Sequence, residues 1–100
     1  MPHYTQIVFV RPGKEEVFRR FEDEVLPLLK KYDGRLLLRW RRTDGGCIEE
    51  TIGKPYEVQL IEFGSVDDFD NYTNDQTRLS LLHLKEESVE RTILLRGTVA

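Results

Sequence analysis

Between Tyr4 and Val10 the chain reads YTQIVFV, with Tyr4, Val8 and Val10 on one side of an extended backbone and Ile7 and Phe9 on the other. This β-branched and aromatic run stops at Pro12-Gly13, a turn signal, and predicts a strand. The period then changes. Phe18, Phe21, Val25, Leu28 or Leu29 and Tyr32 recur at helical spacing and predict a helix over Lys14–Lys31. Glu15, Glu16, Glu22, Asp23 and Glu24 crowd its first half, and Lys30 and Lys31 close it, the order a helix dipole favours. Pro27 should kink or divide this helix. Asp33-Gly34 should end it, with Gly34 in the left-handed cap conformation.

From Arg35 the pattern alternates again, and simple alternation puts Leu36, Leu38 and Trp40 on one face and Arg35, Leu37, Arg39 and Arg41 on the other. A loop from Thr43 to Pro55 holds Gly45, Gly46 and Gly53, and YEVQLIEF (Tyr56–Phe63) is a third strand. Ser65 is a helix N-cap with Asp67 and Asp68 in the first turn, followed by an apolar stripe of Val66, Phe69 and Tyr72. Asn74-Asp75 breaks that helix, QTRLSLLHLKEES makes another helical piece, and Arg91–Val99 reads as a last strand.

The order βαββαβ in 100 residues predicts an α+β, ferredoxin-like antiparallel sheet with helices on one face, a single domain over residues 1–100. Such a sheet leaves one face open. Val58 and Leu60 lie on one side of the third strand and Ile61 and Phe63 on the other, so both faces are apolar. The expected cover is the same face of a second copy, a homodimer.

The runs FRRFEDEVLPLLKKYDGRLLLR (Phe18–Arg39), KPYEVQLIEFGSVDDFDNYTND (Lys54–Asp75) and HLKEESVERTILLRG (His83–Gly97) carry a resemblance. The chain resembles the dimeric α/β-barrel superfamily, and within it a bacterial domain-of-unknown-function family. That family has a helix with a P-x-x-x-x-Y-x-G-R run leading into the second strand, and a serine-started helix after the third. Asp33 stands where the family usually has Gly, and Gly64 where it usually has Pro; both are turn positions. The superfamily includes cofactor-independent monooxygenases, haem-degrading enzymes, lactone isomerases and ligand-sensing domains. The resemblance therefore implies a dimeric barrel with its substrate pocket between sheet and helices.

Composition narrows this further. Hydrophobic residues make up 39% and charged residues 33%, with a net charge of -3. That balance argues against a general nucleic-acid binder, although arginines gather between Arg35 and Arg42. The one cysteine, Cys47, excludes an internal disulfide, and with no signal peptide the expected location is cytoplasmic. No apolar run approaches the roughly 20 residues of a membrane span. His3, His83 and Cys47 have no metal-ligand spacing, and neither a P-loop nor a nucleophile elbow is present, so no metal or cofactor is expected.

The residues left to carry chemistry are few. His83 is the acid–base candidate by its pKa, against a plainer role paired with Glu87 on a helix surface. Glu62, late in an apolar strand, is a base if half-buried, and otherwise a salt-bridge partner of Arg39. Arg39 is able to grip an anion, while the plainer reading pairs Arg39 and Arg41 with Glu62 or Glu57, worth roughly 0.2–1 kcal/mol if exposed. Trp40 and Tyr72, with Tyr32, Phe21 and Phe69, are candidates to line the pocket, or are ordinary core. The functional expectation is a homodimer that binds a small organic molecule in a sheet–helix pocket, with cofactor-independent monooxygenase or isomerase chemistry. Its alternative is a non-catalytic dimeric interaction or regulatory module.

Overall fold

The computed structural model describes residues 1–98. The elements are β1 (His3–Val10), α1 (Glu15–Val25), a 3₁₀ helix (Leu26–Tyr32), β2 (Gly34–Arg41), β3 (Glu57–Phe63), α2 (Val66–Thr73), α3 (Gln76–Ser80), α4 (Leu82–Ser88) and β4 (Val89–Gly97). The strands form one antiparallel sheet in the order β2-β3-β1-β4. This is the ferredoxin-like α+β fold. Val99, part of the expected last strand, lies outside the described residues.

Pro27 divides the first helix as its chemistry requires. The α-helix ends at Val25, and the chain tightens into a 3₁₀ helix with Pro27 in its first turn, where the missing N–H costs nothing. The turn after it departs from expectation. Asp33, not Gly34, takes the left-handed conformation (φ 54°), and its N–H donates to the Leu29 carbonyl. Aspartate is one of the few side chains that tolerates this region. Gly34 opens β2 and serves close packing: a Cβ there would lie 2.8 Å from the Phe63 ring. The Ser65 hydroxyl caps α2 by accepting from the Asp68 N–H at 3.1 Å.

The core sits between the helices and one sheet face. Tyr4, Leu29, Ile61, Phe63 and Tyr72 are buried together, with Leu26, Leu28, Tyr32 and Phe69 packed around them. The Tyr4 ring stacks on Phe69 at 4.1 Å and meets Phe63 edge-on at 5.6 Å. Such aromatic pairs add about 0.5–1.5 kcal/mol beyond the area they bury.

β2 breaks the simple alternation. Leu36 lies opposite Ile61 and Leu38 opposite Leu60, which makes Leu37 the extra residue of a β-bulge. One extra residue reverses the parity of everything after it. Leu36 keeps the helix side. Leu38 and Trp40 turn to the open face with Leu60 and Val58, and Arg39 and Arg41 turn under the helices with Gln59 and Glu57. The sidedness expected from Leu38 to Arg41 is thus corrected.

The open face is apolar. Leu38, Trp40 and Leu95 are 50%, 52% and 55% exposed there, beside Ile7, Val58, Leu60 and Ile93. Phe9 shares this face but is capped by the Arg91 guanidinium, 3.7 Å from its ring centre. The chain is a slab of 36 × 35 × 17 Å, one helix layer on one sheet.

Candidate functional site

The buried stripe of α1 holds Phe18, Phe21 and Val25 and, among them, Glu22. The inward positions of β3 begin Glu57, Gln59 before they become Ile61, Phe63, and all four are buried. Polar groups so placed need partners. Glu57, 0% exposed, finds them because the bulge turned two arginines inward. Its carboxylate accepts from Arg39 Nε at 3.0 Å, from Arg41 Nε and Nη2 at 3.2 and 2.9 Å, and from Gln59 Nε2 at 2.6 Å. Gln59 Oε1 accepts in turn from Gln6 Nε2 at 3.4 Å. Asp23 gives Arg39 a second carboxylate at 3.7 Å.

Glu22 has no such fork. Burial pushes its carboxyl up to about 7, helped by the negative charge of Glu57 and opposed by the Gln59 hydrogen bond and by Arg39 and Arg78. It lines a cavity of about 200 Å³ between the sheet and the helices. Phe21, Val25, Ile61, Phe63, Phe69 and Leu94 supply apolar walls; Tyr4, Gln6, Gln59, Tyr72, Arg78 and Lys85 supply polar groups. Two polar atoms there, the Tyr4 hydroxyl and Arg78 Nε, are buried with no hydrogen-bond partner. Arg78 lies over the rings of Tyr72 and Phe21, at 5.1 and 5.9 Å. Burial, then the charge of Arg78, pulls the Lys85 pKa down, with Glu22 opposing. The Tyr72 hydroxyl donates to the Val25 carbonyl at 3.4 Å, and burial raises its pKa to about 12.

Of the residues expected at a site, the structure places Tyr72, Phe21 and Phe69 in this cavity's wall. Arg39 is held by Glu57 and Asp23. Trp40 and Glu62 lie on the open face. Glu62 accepts from Arg35 Nη2 at 2.8 Å and lies 3.1 Å from His3 Nε2, and Arg35 holds its carboxyl below the usual range. Of the two partners expected for Arg39 and Arg41, Glu62 or Glu57, the structure gives both arginines Glu57, while Glu62 pairs with Arg35, because the bulge puts Arg35 and Arg39 on opposite faces. His83 is exposed on α4 with Nδ1 3.1 Å from the Ser80 carbonyl oxygen, and Glu87 pairs with Lys14 at 3.8 Å. Among the described residues no group of three or more His, Cys, Asp or Glu is placed to hold a metal ion, and no helix is long and apolar enough to cross a membrane.

Glu22 escaped the sequence reading, which counted it with the acids that suit the helix dipole. Its signal was positional: it stands four residues after Phe18 and three before Val25, on the apolar stripe itself. Glu57 and Gln59, two apart in a strand, gave a second signal of the same kind.

No protein-family model matches the chain, and no curated protein matches it. Solved structures do. A protein of unknown function from Rhodopseudomonas palustris is 17% identical, with a TM-score of 0.84 over 99% of this chain and 82% of that one. A dimeric protein of unknown function with a ferredoxin-like fold, from Bacteroides fragilis, is 13% identical, with a TM-score of 0.72 over 98% of this chain and 95% of that one. A dabb family protein from Mesorhizobium loti, also described as ferredoxin-like, is 12% identical, with a TM-score of 0.69 over 99% and 96%. At these identities the likeness is one of fold.

Proposed function

We propose that this chain binds a compact organic molecule in the cavity between sheet and helices, with Glu22 as the acid–base group. The observation that carries the reading is a buried carboxyl of pKa about 7 on the wall of a cavity that aromatic and polar side chains line together. A base is most effective when its pKa lies near the working pH. Removal of a proton from a bound carbon acid begins both isomerisation and cofactor-independent oxygenation, and Glu22 is suited to that step. The cavity, at about 200 Å³, is smaller than the roughly 300–1,000 Å³ of drug-sized sites, which restricts the ligand to a small one. The alternative, a non-catalytic interaction module, calls for a filled interior, and the unpartnered Tyr4 hydroxyl beside open space speaks for a ligand instead.

The same proposal includes a homodimer closed through the open sheet faces. Its support is the exposed Leu38, Trp40 and Leu95 patch and the description of the Bacteroides fragilis neighbour as dimeric.

Leu94 offers the test of the pocket, since it lines the cavity and is partly exposed. Leu94→Trp should fill the mouth. In a ligand-observed NMR screen of single-ring fragments, hits on the parent protein should weaken about tenfold or more in the variant. Fragments that bind both proteins alike would place the site elsewhere.

A further inference from the structure

Two cations face the cavity without a carboxylate of their own. Arg39 and Arg41 are bound to Glu57. Arg78 on α3 and Lys85 on α4 make no salt bridge among the described residues. They are close enough that the charge of Arg78 depresses the pKa of Lys85. Arg78 Nε and the Tyr4 hydroxyl, on a residue 3% exposed, are orphan donors on the same cavity wall. Unpaired buried donors are costly, and like charges side by side add to the cost. A planar anion answers both.

We infer that the cavity takes a single-ring carboxylate, its ring among Phe21, Phe63 and Phe69 and its carboxylate on Arg78, Lys85 and the Tyr4 hydroxyl. The inference rests on the pocket reading above and gives that ligand its charge. A guanidinium matches a planar carboxylate in geometry, and the aromatic walls favour a ring over a dianion such as phosphate.

Binding then draws a proton to Glu22. Glu22 is faced by Glu57 and Gln59 from β3, Arg39 from β2, Tyr72 from α2, Arg78 from α3 and Lys85 from α4. Glu57 is neutralised by two arginines, so a ligand carboxylate adds new negative charge and favours the protonated form of Glu22.

Isothermal titration calorimetry with benzoate and its neutral isostere benzamide, near pH 7 in two buffers of different ionisation heat, tests this. Benzoate should bind the parent protein about tenfold or more tightly than benzamide. Arg78→Gln should remove that preference by weakening benzoate far more than benzamide, with Lys85→Gln acting in the same direction should Arg78→Gln not fold. Glu22→Gln should still bind benzoate but take up no proton. Equal binding of the two compounds, or benzoate binding indifferent to both cation variants, overturns the carboxylate inference and leaves the pocket standing. Failure of the Leu94→Trp screen overturns the pocket, and the inference with it.

Discussion

Glu22 shows how much a single buried side chain sets. Its carboxyl has a pKa of about 7 in the folded chain against 4.5 ordinarily. Between those values the folded protein holds a proton that the unfolded chain has released. Stability therefore falls as pH rises through that window, and above it the whole cost, about 3 kcal/mol, is in place. Glu22→Gln keeps the shape and removes the titration. Urea unfolding should find the variant more stable than the parent near pH 8 and close to it near pH 4. Identical pH profiles would mean that Glu22 is not the buried acid described above. At this scale the sequence was half legible. The Ser65 cap could be read because its cause is local. The swap of roles between Asp33 and Gly34 could not, since it depends on the Phe63 ring arriving from another strand.

Among the elements, β2 teaches most. Its existence was plain from alternation, and its place in an antiparallel sheet followed from the order of elements. Its sidedness was hidden, because an extra residue within three consecutive leucines leaves no mark on the pattern. That one residue decides whether Arg39 and Arg41 meet Glu57 or the open face. The same hidden parity kept the grouping around Glu22 out of view: with Arg39 and Arg41 assigned to the other side, Glu62 stood out as a candidate, and Glu57 only as its alternative in an ion pair. The bulge makes a test possible. Deleting one leucine of the run regularises β2 and preserves its remaining pairs. Thermal melts followed by circular dichroism should stay cooperative, with a midpoint lowered by no more than about 8 °C. Deleting Leu60 from interior β3 shifts its register by one and should abolish the cooperative melt. A leucine-run deletion that unfolds the chain as completely as loss of Leu60 would contradict the bulge.

The whole molecule is a slab 17 Å thick with a broad face of 36 × 35 Å. That face exceeds the roughly 800 Å² that a standard interface takes from each partner. Two-sided apolar strands made the exposed face legible in the sequence; the identity of its cover is a matter of association, which one chain's pattern does not encode. Sedimentation velocity at micromolar concentration should give about twice the 11.8 kDa chain mass. Trp40→Glu, placing charge within the exposed apolar patch of the open face, should shift the species to monomer. A folded monomer from the unsubstituted chain would end the pairing proposal.

β2 is also the last strand of the sheet on its side. Its outward amides and carbonyls have no further strand to bond, the situation in which proteins grow by adding strands end to end. The bulge at Leu37 distorts that rim and interrupts the regular row of outward groups. Such a rim is a poor template for a foreign strand. Strand-by-strand growth is thus hindered at the β2 edge of the sheet, whatever the broad apolar face beside it does.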